Sequence, residues 1–193
     1  MPHFDAPGLT QFVTFRLDDA LPATRRAEWE ALLRIEDDRE RRQQLEAYLD
    51  RGFGECWLRR PEVARLVGDA LRFFDGKRYR LEAWVVMPNH VHVLVEVWQT
   101  PLAQLLHSWK RHTSSEANRL LGRSGRFWER EYWDTLIGDE AHLARARRYV
   151  ENNPVRAKLV RDPADWPWSS ASGRPHANER QPEAGLEPTG GPA

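Results

Sequence analysis

Two histidines one residue apart, His90 and His92, are the side chains of this chain best suited to chemistry, since a neutral imidazole offers a nitrogen lone pair to a cation. They lie in LEAWVVMPNHVHVLVEV, residues 81–97, where two apolar, β-branched runs flank the turn residues Pro88 and Asn89. That pattern predicts a β-hairpin. On a strand, residues i and i+2 leave the same face, which sets the two Cβ atoms roughly 6–7 Å apart and lets both rings share one metal ion. A satisfied surface or core pair has the same spacing, so spacing alone leaves both readings open. Val91, Val93, Val95 and Val97 fill the opposite face, while Leu94 and Glu96 continue the face that the histidines begin.

A second candidate group lies on a helix expected over about residues 139–152, DEAHLARARRYVENN, with Pro154 making Asn153 its boundary. Leu143, Ala146 and Val150 define its buried stripe, and His142, Tyr149 and Asn153 cluster on one flank of it. A tyrosine on the edge of an apolar stripe is usually there for packing, so periodicity by itself does not single it out.

The elements that must position these residues read as follows. Gln11 to Leu17 alternates apolar and polar residues as a first strand does, and residues 78–87 and 127–137 read as further strands. Pro61 opens an amphipathic helix over 61–75, and Pro101 opens a longer one whose apolar face carries Leu102, Leu105, Leu106, Trp109, Thr113, Ala117, Leu120 and Leu121. Residues 23–56 are highly charged, with Trp29, Leu32, Leu33, Ile35, Leu45 and Leu49 as a narrow apolar stripe on one or two solvated helices. Lys110 and Arg111, with His107 and His112 nearby, read as an ordinary solvated face, a grip on a DNA backbone being the alternative. The loop Gly122 to Arg126 is basic but lacks a phosphate-loop pattern. Trp109, Trp128 and Trp133 are expected to pack in the core rather than to stack on bases.

Composition sets the outer limits. A chain of 193 residues suffices for one domain with a real core. The lone cysteine, Cys56, excludes an intramolecular disulfide and a cysteine-rich zinc site. No basic segment followed by an apolar one opens the chain, and no apolar run approaches roughly 18 residues, so a soluble, cytoplasmic protein is expected. With 29 basic and 29 acidic residues, the net charge of zero argues neither for nor against a nucleic-acid partner.

Taken together, MPNHVHVLVE, GRFWEREYWDTLI and RRYVENNPVRAKLV, spaced in this order, resemble the REP-associated tyrosine transposases of the single-tyrosine HUH superfamily. The resemblance runs from VTFRLDDALP to DWPWSSASG. It implies an α+β, ferredoxin-like antiparallel sheet with helices packed on one face, of HUH endonuclease type. It implies one domain over residues 1–172, with 23–56 as a charged helical elaboration and 173–193 as a disordered tail rich in Pro and Gly. By position, His90 and His92 would be metal ligands, Asn153 a third ligand where insertion-sequence relatives carry glutamine, and Tyr149 the nucleophile.

The activity implied is divalent-metal-dependent cleavage and joining of single-stranded DNA at repeat-derived hairpins, through a covalent phosphotyrosine, with Mg2+ or Mn2+ as the ion. No small-molecule cofactor and no membrane partner is expected. The short link from Ile137 to Asp139 leaves little slack for exchanging the tyrosine helix, so a monomer is expected over a dimer. Two alternatives stay open: a catalytically silent hairpin-binding regulator, and a metal hydrolase that uses water. The group that takes the tyrosine proton is not legible, His142 and metal-bound water being candidates.

Overall fold

The computed structural model describes residues 7–173, so the expectation for the tail beyond Gly173 lies outside the described residues. Four strands form one antiparallel sheet: β1 (Leu9–Leu17), β2 (Tyr79–Val86), β3 (His90–Val97) and β4 (Trp128–Leu136), in the order β2-β3-β1-β4. The α-helices among the described residues are α1 (Arg26–Leu33), α2 (Asp38–Asp50), α3 (Pro61–Arg72), α4 (Leu102–Leu121) and α5 (Glu140–Arg156). Leaving α1 and α2 aside, the β-α-β-β-α-β order is ferredoxin-like, as expected. No helix among the described residues is long and apolar enough to cross a membrane.

Alternation along the strands builds both faces of the sheet. Val13, Phe15 and Leu17 of β1 join Val91, Val93, Val95 and Val97 of β3 in the main core, closed by Val63, Val67 and Leu71 of α3 and by Leu102, Leu106 and Trp109 of α4. All these residues are buried. The two core helices therefore share one face, and α5 covers the other, where Leu94, Val85 and Ala83 pack with Val150, Leu143 and Ala146. The histidines stand on this second face, which explains why it needed a cover of its own. Trp109 and Trp128 pack in the main core and spend their indole N–H groups on Tyr79 and Thr113.

Helix α5 runs to Arg156, past the boundary expected at Asn153, with Pro154 inside it. A proline disfavours but does not forbid a helical residue before it. The cost is the missing N–H toward Val150, and the ladder resumes with the bonds Ala157 N to Asn153 O and Leu159 N to Pro154 O, both 2.9 Å. Burial of Pro154 and Asn153 against the rest of the chain stabilises the extra turn.

The charged stretch forms α1 and α2, which bury Trp29, Leu45 and Tyr48 together against Trp133 of β4 and send Leu49 into the main core. Asp37 caps α2 by accepting from Glu40 N at 2.7 Å. The segment after α2 returns to the sheet through Gly54, whose φ is +85° and whose missing Cβ would lie 2.5 Å from the carbonyl oxygen of Asp19. Next to it, Glu55 N donates to Asp19 Oδ2 at 2.9 Å. Any side chain at residue 54 meets backbone in a left-handed conformation. We expect Gly54→Ala to cost about 2 kcal/mol or more, read as a lowered urea midpoint; an unchanged midpoint would show that this junction does not anchor α2.

Candidate functional site

Strand register brings the site together from β1, β3, α2 and α5. Thr14 pairs with His92 and Arg16 with His90 across β1 and β3. The two imidazoles have no exposed surface. Their Nε2 atoms are 3.2 Å apart and their ring centroids 4.7 Å.

The far nitrogen of each ring is engaged. The Asn89 amide donates from Nδ2 to Phe53 O at 3.0 Å, which turns its Oδ1 toward His90. His90 Nδ1–H therefore donates to Asn89 Oδ1 at 2.8 Å and leaves Nε2 as a lone pair. His92 Nδ1 bonds Thr14 Oγ1 at 2.8 Å, and its ring stacks on Phe12 at 5.3 Å between centroids. When His92 donates to Thr14, both Nε2 lone pairs point into one space. Burial holds both histidines uncharged, pushing His90 down to about 3 and His92 well below the usual imidazole range, with His90 and the Arg156 charge adding to the effect on His92.

Tyr149 lies half-buried on α5, its ring edge-on to His92 and to Phe12, each at 5.7 Å between centroids. The Arg156 guanidinium sits 4.5 Å from its ring centroid. One turn beyond Tyr149, Asn153 is fully buried and neither polar atom of its amide has a hydrogen-bond partner. His142 is two turns away, at the start of α5, roughly 10 Å along the axis from Tyr149, where its backbone N–H is capped by Asp139.

Two acidic residues of α2 complete the site, and the sequence had not marked them. Tyr149 Oη donates to Glu46 Oε2 at 2.5 Å. Asp50, one turn on, places Oδ1 3.8 Å from His90 Nε2, and that oxygen has no hydrogen-bond partner. Burial pushes Asp50 up to about 6 against the pull of Arg156. It also raises Glu46, against its bond from Tyr149, and it raises the Tyr149 phenol, which the Glu46 charge raises further. An i, i+4 acidic pair on a charged helix reads as solvated surface; its only sequence cue is that it flanks the apolar Leu45 and Leu49. Glu46 also lines a cavity of about 240 Å³ between α2 and the β1–β4 side of the sheet, with Phe12, Thr14, Arg42 and Trp133.

The donor set suits a cation. Bonds of about 2.1 Å at roughly 100° to one ion would separate two ring nitrogens by about 3.2 Å, the spacing His90 and His92 show. Among the described residues, no three His, Cys, Asp or Glu side chains are arranged to hold an ion. The buried amide of Asn153, whose oxygen and nitrogen have no hydrogen-bond partner, is one further oxygen donor on the tyrosine helix.

Residues 67–153 match the family model described as "Transposase IS200 like". A REP-associated tyrosine transposase of Escherichia coli K12 is 26% identical over 94 residues, covering 48% of this chain and 54% of the relative. A Haemophilus influenzae relative described as the same kind of transposase is 30% identical over 96 residues, covering 44% of this chain and 54% of its own. Over residues 67–153 the chain is thus similar to the IS200-like transposases. It spans about half the length of these curated relatives. The fold of a REP-associated tyrosine transposase, solved bound to a REP hairpin, aligns with a TM-score of 0.54 over 88% of this chain and 80% of that one, at 16% identity. The stretch matched to the IS200-like transposases contains His90, His92, Tyr149 and Asn153 and ends before none of them, but α2 with Glu46 and Asp50 precedes it.

The raised Asp50 carboxyl gives this chain a definite pH signature. Its folded value of about 6 exceeds the unfolded one, so the proton-bound form favours the fold below about pH 4 and that advantage is lost as pH rises through 6. The buried histidines act oppositely, losing stability as pH falls from about 6.5 toward 3. Asn resembles protonated Asp. In metal-free protein we expect Asp50→Asn to match wild type at pH 4 and to exceed it by roughly 2–3 kcal/mol at pH 7, measured by urea unfolding; a difference that does not change with pH contradicts this.

Proposed function

We propose that this chain cuts and rejoins single-stranded DNA at hairpins formed by repeated sequences, with Tyr149 as nucleophile and with His90, His92 and Asn153 holding a divalent metal, Mg2+ or Mn2+. The observation that carries the reading is the contact of Tyr149 with His92 within one chain, beside two imidazole lone pairs that converge on one space. The kinship with REP-associated transposases, and a fold shared with one bound to a REP hairpin, support hairpin DNA as the substrate class. One domain over the described residues, with α1 and α2 as its elaboration and a monomer as its working unit, fits a site built wholly from one chain.

Each residue has a task that follows from its surroundings. The bound metal would polarise a non-bridging phosphate oxygen and offset the charge that builds there. Phe12 and Thr14 fix the plane and tilt of His92, and Asn89 does so for His90, so the two nitrogens need no reorganisation to bind. Tyr149 is delivered to the same face by the packing of Val150 and Leu143 on β2 and β3. Attack by its oxygen keeps the phosphodiester bond energy in a covalent link, which allows rejoining without a nucleotide cofactor. Arg42 and Arg156 flank the cavity side and the tyrosine ring, where a strand's phosphates need countercharge.

Complete burial of His90 and His92 favours a second reading, a hairpin binder that does not cut. The two separate in one experiment. With Mn2+ and labelled single-stranded hairpin DNA from the repeats flanking its own gene, wild type gives a covalent protein–DNA band on a denaturing gel, and Tyr149→Phe gives none. Binding without cleavage by either protein supports the silent binder, and metal-dependent cleavage by Tyr149→Phe makes water the nucleophile.

Metal binding is checked apart from activity. Calorimetric titration of Mn2+ into His92→Ala is expected to show affinity reduced by roughly tenfold or more against wild type. Equal affinity would remove the histidines from the metal site.

A further inference from the structure

We propose that Glu46 of α2 is the general base for the tyrosine, taking the Tyr149 proton as the phenol attacks and returning it on rejoining; this rests on the nuclease reading above. The geometry is direct. Tyr149 Oη donates to Glu46 Oε2 at 2.5 Å, across 103 residues of sequence, and a base must lie within hydrogen-bond reach of the proton it removes. The distance lies within the range of a hydroxyl bonded to a carboxylate oxygen.

His142, the other side chain considered for this task, is placed at the far end of the first two turns of α5, with its ring nitrogen near Gly138 N rather than Tyr149. The charged groups that face Glu46 are Asp50 and Arg42 on its own helix and Arg156 on α5. Glu131 and Asp134 of β4 line the neighbouring cavity. Arg42 is held by Thr135, at 2.5 Å from its Oγ1, and Arg156 by the tyrosine ring, so neither cation lies in the line between phenol and carboxylate.

The step balances. The Tyr149 proton passes to Glu46 Oε2, the Tyr149 Oη–phosphorus bond forms, and the bond from phosphorus to the bridging oxygen of the leaving strand breaks. That oxygen leaves with the electron pair and takes a proton from solvent. In the reverse direction a strand hydroxyl attacks phosphorus, and the departing phenolate recovers its proton from Glu46. Glu46 also lines the open cavity while the histidines are sealed, so the proton it accepts has a route to water.

The test is the single-turnover rate of covalent adduct formation against pH, at saturating Mn2+ and hairpin DNA. Glu46→Gln keeps an acceptor of nearly the same shape but cannot take the proton. It is expected to be slower than wild type by roughly 10²- to 10⁴-fold near neutral pH. Its rate should climb about tenfold per pH unit to pH 9, where wild type has levelled off, as hydroxide replaces the missing base. Calorimetric Mn2+ and hairpin affinities should stay within about twofold of wild type, as loss of a base leaves binding intact.

Glu46→Ala, confirmed as folded by circular dichroism, should regain rate on addition of formate, while Tyr149→Phe should not. A Glu46→Gln rate equal to or above wild type at all pH values, or a Glu46→Ala protein indifferent to formate, overturns the proposal while the adduct of wild type leaves the nuclease reading standing. Absence of an adduct in wild type overturns both.

Discussion

Everything in this structure answers to one constraint: two uncharged imidazoles are kept side by side and out of water, their Nε2 atoms 3.2 Å apart. Desolvation makes that arrangement expensive for protonated rings and neutral for unprotonated ones, and a buried ring nitrogen without a partner is costly in turn. Thr14 and Asn89 meet the second demand. Asn89 does more, since its side-chain amide also reaches Phe53 O at 3.0 Å and its backbone carbonyl accepts from Leu17 N at 2.8 Å. One residue thus ties the β2–β3 turn, the end of β1 and the loop that follows α2 to the tautomer of His90.

The cover over the histidines is of two kinds. Toward α5 it is apolar, with Leu94 and Val150 between sheet and helix. Toward α2 it is acidic, and the carboxylates of Glu46 and Asp50 are themselves half hidden, balanced by Arg156. Such a wall repels phosphate unless positive charge comes with it. On the proposed reading, metal and arginine together would provide that charge, and ion and DNA would each make the other's entry more favourable through Coulomb's law, without a conformational relay.

The sheet was legible because its periodicity is strong: the four strands fall within two residues of where alternation and turn residues put them, and α3 begins at Pro61 and α4 directly after Pro101 as anticipated. The histidine face and the tyrosine helix were legible through the spacing of their motifs. What could not be read is where helices of mixed charge dock. Glu46 and Asp50 share a face of α2 with only the flanking Leu45 and Leu49 to distinguish them from solvent-facing acids, and their contacts, with Tyr149 and with His90, are distant in sequence. The end of α5 was misplaced for a different reason. The bias of a residue before proline is a local preference of modest size, and the burial of Asn153 and Pro154 outweighs it. Lys110, a candidate for gripping phosphate, is instead spent on the carbonyls of Glu129 and Arg130, both at 3.0 Å.

The close approach of Gly54 to Asp19 means that the excursion carrying α1 and α2 leaves and re-enters the fold at a single point. A path with coincident ends can change in length without shifting the strand before it or the helix after it, so long as Leu49 still fills its place in the main core. The sheet with its histidines and the carboxylates over Tyr149 thus come from separate stretches of the chain, joined like a cassette in a frame.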